Sequence, residues 1–157
     1  MTWMAFCTTN IDDCSGDMKK AAYFLNWETQ EWTQVADMDA PRALAGCGVA
    51  RNPDRVVVIA GYNEEYDMLS DSIIYDVASD SWSAGPDHPN GSIESVETVA
   101  FGDSFLMIGG NGEDYDERWD VVYEFDAVDN EFVARPEKLS KERKSVVAVP
   151  FPDSLQC

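Results

Sequence analysis

Apolar residues in this chain come in short runs. Arg55-Val56-Val57-Val58-Ile59-Ala60-Gly61 is one run, and Ser104-Phe105-Leu106-Met107-Ile108-Gly109-Gly110 is another. Both are bounded by turn residues and too short for a helix, and the first is rich in β-branched side chains, so both read as strands. Residues 3–7, 21–26, 44–50, 72–76, 95–101 and 121–126 read the same way, with shorter outer strands from Trp32, Trp82 and Phe132. Residues 10–20, 51–54, 62–70 and 111–120 are rich in turn formers and read as turns and loops. No stretch shows the i, i+3, i+4 recurrence of an amphipathic helix. The expectation is an all-β fold.

The pattern also repeats. Ala22-Tyr23-Phe24-Leu25-Asn26 leads to Trp32, Ser72-Ile73-Ile74-Tyr75-Asp76 to Trp82, and Val122-Tyr123-Glu124-Phe125-Asp126 to Phe132, at a spacing of fifty residues. A period of that length marks stacked supersecondary units. Several strands are apolar on both faces, as at Tyr23-Phe24-Leu25 and Ile73-Ile74-Tyr75. A sheet wet on one face would alternate, so each sheet is expected to lie between two others, as propeller blades do.

On these marks the chain resembles the kelch-repeat family. Gly109-Gly110, Phe125-Asp126 and Phe132 give one set, and Ala60-Gly61, Tyr75-Asp76 and Trp82 a second. The first unit has Leu25-Asn26 and Trp32, with Thr8-Thr9 where the glycines belong. Met38 and Arg42 match the family's connector, as do Leu139 and Arg143, whereas the middle connector has His88 and Ser92. The resemblance implies a partial kelch-type β-propeller of about three four-stranded antiparallel blades. The units expected are a partial blade over 1–41, blades over 42–91 and 92–144, and a closing strand and tail over 145–157. Residues 145–149 read as a first strand, with Val149 matched to Val99 and Val49. Asn or Asp after the third strand can bond its own backbone and start the turn, and the outer aromatic supplies packing area between blades.

Composition narrows the partners. Thirty acids against eleven bases give a formal charge of −19. Phosphates need a basic face, so nucleic acid and an anionic membrane are not expected as partners. No apolar run reaches the length of a membrane span, and residues 1–7 lack the features of a signal peptide. A cytoplasmic location is expected, or a secreted one if a signal segment precedes the sequence. Four cysteines show no CxxC spacing, and one histidine cannot complete a Cys/His zinc set. Cys7 and Cys14 bracket a polar turn and could pair in an oxidising compartment, while Cys47 reads as a small buried residue.

Two acidic loops remain, Asn63-Glu64-Glu65-Tyr66-Asp67 and Glu113-Asp114-Tyr115-Asp116-Glu117. Neither fits a calcium loop, so no metal is expected and solvated loops are. Their matching places put both at one end of the blades. With Tyr62, Glu64, Tyr66, Asp67, Asp114, Tyr115 and Trp119 they offer aromatics among carboxylates, the makings of a protein-binding rim. Residues 135–144 hold five bases and read as a connector able to steer an acidic partner. His88 reads as a loop residue, and Asn90-Gly91-Ser92 matches a glycosylation sequon. No catalytic residue and no cofactor site is expected: G-x-S-x-G, Walker and dinucleotide patterns are all missing.

The reading is a non-enzymatic interaction scaffold that presents blade loops to a protein partner. The alternative is a fragment of a larger kelch-propeller protein, of the galactose-oxidase-like or sugar-isomerase type, whose active residues lie elsewhere. Copper in the former uses two histidines, which this chain cannot supply. Twelve strands make three blades, whereas closed propellers have four to eight. Further blades upstream, or a second copy joined head to tail, are therefore expected partners, with residues 145–149 completing the first blade of the other copy.

Overall fold

In the computed structural model of the chain, the described residues are 5–9, 18–114, 118–143 and 146–149. Among them every regular element is a strand. Blade 1 is an antiparallel sheet of β1 (Ala5–Thr9), β2 (Met18–Asn26) and β3 (Glu31–Val35). Blade 2 holds β4 (Gly46–Ala50), β5 (Arg55–Tyr62), β6 (Met68–Asp76) and β7 (Ser81–Ala84), in that order. A ribbon of β8 (Ile93–Glu94) and β11 (Asn111–Gly112) flanks blade 3, which is built from β9 (Glu97–Phe101), β10 (Ser104–Ile108), β12 (Trp119–Asp126) and β13 (Glu131–Arg143). This is the all-β partial propeller that the repeat implies, with three strands in its first blade and four in each of the others.

The turn between third and fourth strands is the same in all three blades. Asn26 Oδ1 accepts from Glu28 N at 3.0 Å, Asp76 Oδ1 from Ser79 N at 2.8 Å, and Asp126 Oδ1 from Val128 N at 2.8 Å. Each turn ends on a left-handed residue: Gln30, Asp80 and Asn130 have φ of 58°, 48° and 55°. The short polar side chain bonds its own backbone, which is why Asn or Asp opens each turn. Those bonds to Ser79 hold the Asp76 carboxyl below the ordinary range.

Two apolar clusters join the blades. Met38, Val56, Val58, Ile73 and Tyr75 form one, with Phe24 and Val35 of blade 1 and Trp82 of blade 2 packed against it. Val57, Ile59 and Ile74 meet Phe105, Met107, Phe125 and Phe132 in the other. Blade 2 is thus covered on both faces, which explains its continuous apolar runs. Phe105 and Phe125 stack at 5.3 Å. The Phe105 ring lies so close to Gly48 that an added Cβ would stand 2.4 Å from it, so that position requires glycine.

Five expectations need correction. The strand expected over 145–149 is not formed: residues 146–149 lie outside any strand, Val147 and Val149 are exposed, and Ser145 is outside the described residues. Instead β13 runs on to Arg143, through the stretch read as a connector, with Val121 opposite Lys138 and Trp119 opposite Arg143. It is the outermost strand, where the missing N–H of Pro136 breaks no ladder, and bulges absorb its extra residues. Val99 corresponds to Gly48, not Val49, because four residues separate Ala50 from its partner Arg55 and two separate Phe101 from Ser104. The strand read as beginning at Leu44 begins at Gly46, leaving Leu44 at φ 53° and 60% exposed. Cys47 is exposed, not buried: its neighbours Gly46 and Gly48 take the face toward blade 3, and Cys47 takes the other.

Candidate functional site

The loops joining second to third strands share one end of the blades with the connectors. There Ala43 N donates to Tyr62 O at 3.0 Å and Tyr62 N to Ala43 O at 2.8 Å, tying the connector to the end of β5. Ser95 N donates to Leu44 O at 2.9 Å and links it to the next connector. Leu44 and Ser95 are both left-handed, at φ 53° and 54°. Gly61, at φ 89°, passes so close to this connector that an added Cβ would stand 2.4 Å from Ala43 O. The glycine motif therefore brings connector and loop base together.

Beneath the loop lies Arg42, 5% exposed. Its guanidinium binds the Asp71 carboxylate in bidentate fashion and donates to Ala60 O at 3.3 Å. Arg42 is thus a buried strut and not a surface charge.

The 63–67 loop is closed on itself. Asn63 N donates to Asp67 O at 3.1 Å, Asp67 N to Asn63 Oδ1 at 2.8 Å, and Tyr66 N to Asn63 O at 3.1 Å. Glu64, Glu65 and Asp67 are exposed, and Tyr66 stands 71% exposed at φ 64°. A tyrosine held out on a turn this well bonded loses little freedom on binding. Tyr62 is half-buried at the loop's base, and Leu44, which sequence reasoning placed in a strand, is exposed beside it. A left-handed leucine before the strand is hard to foresee, because sequence patterns favour Gly or Asn there.

The second loop contributes less. Asp114 is exposed, and Tyr115 is outside the described residues. Trp119, read as a loop residue, opens β12 and packs on the core, with no partner for its indole N–H among the described residues. Its half-buried ring faces the protein interior because β12 starts earlier than the apolar pattern suggests. Asn111, 3% exposed, donates to Glu94 Oε1 at 3.0 Å and pins the β8–β11 ribbon. Among the described residues no three His, Cys, Asp or Glu side chains gather as metal ligands. The Cys7–Cys14 pairing cannot be placed: Cys14 is outside the described residues.

His88 is a loop residue but a buried one, 3% exposed. It packs against Tyr123 and Phe132, at 5.7 and 6.4 Å between ring centroids. Burial pushes its pKa down to about 4, so the imidazole is neutral and serves as packing. The sequon's Asn90 accepts from Tyr123 Oη at 2.8 Å and its amide nitrogen is buried, so the folded chain does not offer it for glycosylation. Two of the five bases assigned to a steering connector are engaged at short range: Arg135 pairs with Glu124 at 2.8 Å, and Lys138 with Asp120 at 3.5 Å. Among the described residues no helix is long and apolar enough to cross a membrane.

Comparison with known proteins agrees with this architecture. The chain matches no protein-family model. It is 30% identical over 102 residues to F-box/kelch-repeat protein At1g80440 of Arabidopsis thaliana, covering 64% of this chain and 28% of that one. It is 27% identical over 107 residues to Kelch-like protein 41b of Danio rerio, covering 68% of this chain and 17% of that one. The matches thus span under a third of either relative. The solved structure of YjhT superposes with a TM-score of 0.64 at 15% identity, over 84% of this chain and 42% of that one, a likeness of fold. The repeated Asn/Asp turn, the glycines at the loop base and the two curated matches agree in making the chain similar to kelch-repeat proteins.

Proposed function

We propose that the chain is a non-enzymatic scaffold that presents the loop end of its blades to a protein partner. The observation that carries this reading is Tyr66, the most exposed aromatic of the described loops, fixed on a self-bonded turn among Glu64, Glu65 and Asp67. Rigid aromatics ringed by polar groups are what binding hot spots are made of. Tyr62, Leu44 and Asp114 extend the surface, and Tyr115 belongs to the same loop set by sequence. Similarity to kelch-repeat proteins supports a protein-interaction role, and the carboxylates favour a partner surface with basic residues.

The test is capture of partners from cell lysate, followed by direct binding of the purified partner. Tyr66→Ala should weaken that binding by about tenfold or more. Val128→Ala, at the opposite end of blade 3 and 89% exposed, should leave it unchanged. A partner indifferent to Tyr66 but sensitive to Val128 would place the function at the wrong end.

A further inference from the structure

Given the scaffold role proposed for this end of the blades, we infer that the Tyr66 loop takes a partner segment presenting an arginine close in sequence to an apolar residue. The guanidinium would lie on the Tyr66 ring among Glu64, Glu65 and Asp67, and the apolar residue on Leu44. The loop belongs to blade 2, whose two faces are both covered by its neighbours. What blade 2 exposes here is therefore its own loop surface and not a face awaiting another blade.

The carboxylates of this loop stand without a base. Elsewhere in blades 2 and 3 acids are matched: Asp71 holds Arg42, Glu124 and Glu137 hold Arg135 at 2.8 and 3.3 Å, and Asp120 holds Lys138 at 3.5 Å. Among the described residues no Lys or Arg pairs with Glu64, Glu65 or Asp67, although all three are exposed around one closed turn. Asp67 Oδ2 takes a long bond of 3.4 Å from Asn63 Nδ2. Arg118, in the corresponding loop of blade 3, is exposed and pairs with none of them. A cation from outside would meet charges that nothing described in the fold has neutralised.

The chain itself shows how an aromatic face and a carboxylate hold arginine together. The guanidinium carbon of Arg135 lies 5.4 Å from the Phe101 ring centroid, while its Nη1 meets Glu124 at 2.8 Å. Tyr66, between Glu65 and Asp67, supplies the same two parts with no arginine in place. Guanidinium stacks on an aromatic face and forks onto carboxylates, whereas a lysine ammonium is compact, strongly hydrated and satisfies the charge alone. The set therefore selects arginine over lysine.

Leu44 adds the second requirement. Ala43 and Tyr62 bond each other in both directions, so the adjoining Leu44 stands at the foot of the loop, 60% exposed. Its backbone, at φ 53°, holds the side chain out beside the acidic turn. An apolar residue near the arginine would cover it, leaving the carboxylates as a polar rim. At longer range the −19 charge draws basic segments in and turns acidic ones away.

Panning a displayed library of random peptides against the full chain tests the inference. Enriched peptides are expected to share an arginine close to an apolar residue. In a synthetic copy of the best one, lysine for that arginine should weaken binding by about fivefold or more, and glutamine by about thirtyfold or more. In the chain, Tyr66→Ala should weaken it by about tenfold or more, as should Glu64→Gln and Glu65→Gln combined, and Leu44→Ala by about threefold or more. Tyr66→Phe, which keeps the ring, should bind as the wild type does. These side chains are exposed, so every variant should keep the wild-type melting transition. A library that yields no binder, enriched peptides without arginine, or an arginine peptide indifferent to Tyr66→Ala or to the glutamine pair overturns the inference. A cellular partner that needs Tyr66 but presents no arginine to it also overturns the inference and leaves the scaffold role standing. A partner indifferent to Tyr66 removes that role as well.

Discussion

The two interfaces between blades solve one packing problem with different side chains. Met38 N donates to Lys20 O at 2.8 Å, and His88 N to Ser70 O at 2.6 Å, each pair fifty residues from the other. The backbone thus fixes one seat in both connectors. In the first interface a thioether fills it, and Trp82 adds both area and a hydrogen bond from Nε1 to Ala36 O at 2.7 Å. Asp80 reinforces the first interface, accepting from Ala36 N at 2.9 Å and from Tyr75 Oη at 2.7 Å. Those two bonds, Ala36 N–H first, hold the Asp80 carboxyl below its ordinary range. Burial, with the Asp80 hydrogen bond next, raises the Tyr75 phenol. In the second interface a neutral imidazole fills the seat, Phe132 gives area alone, and Arg55 makes the polar tie. Volume at the seat is conserved between the two, and polarity is free to vary provided the occupant is uncharged.

Substitutions can break this equivalence or sharpen it. Phe132 is 9% exposed among aromatic neighbours, so Phe132→Ala should cost about 3–5 kcal/mol in denaturant unfolding. Gly61→Ala should come next, at about 3 kcal/mol, because its Cβ would meet the backbone of Ala43 and Ala45 at φ 89°. Gly110→Ala should cost a similar amount, because its φ is 111° and its Cβ would meet the fully buried Ile93 side chain. Trp82 is only half-buried, so Trp82→Ala should cost about 2–3 kcal/mol, less than Phe132→Ala. Trp82→Phe, which imitates the second interface, should cost about 1 kcal/mol by removing the bond to Ala36 O. Equal losses for Trp82→Ala and Trp82→Phe would show that the hydrogen bond, not the ring, holds the first interface.

What could be read from the sequence was whatever depends on local chemistry. Asn26, Asp76 and Asp126 announced their turns because the side chain bonds the adjacent backbone. Buried strands showed as apolar runs, and the repeat located the aromatic anchors. The self-bonded turn that displays Tyr66 was visible only as an acidic loop, because its order comes from the Asn63–Asp67 bonds and not from composition. Features set by neighbours were hidden. Cys47 looked buried because a strand's pattern does not say which face lacks cover. Residues 136–143 looked like a connector because proline and charge argue against a strand, yet an outermost strand tolerates both. Trp119 looked like a loop aromatic because the core it packs on comes from other strands.

Equivalence of the two connector seats is the central claim, and the pH dependence of unfolding in wild type and His88→Met tests it most directly. Folded His88 titrates near 4, below its ordinary value of 6.5. The unfolded chain therefore takes up the proton first as pH falls. Stability from the neutral imidazole is full above about pH 6.5 and is lost progressively down to about pH 4, amounting to about 3 kcal/mol. The lowered carboxyls of Asp76 and Asp80 titrate below that window and do not imitate it. His88→Met, with the first interface's residue in the second interface's seat, should fold cooperatively and lack the loss between pH 6.5 and 4. A variant that fails to fold, or one that keeps the wild-type slope across that window, would contradict the account.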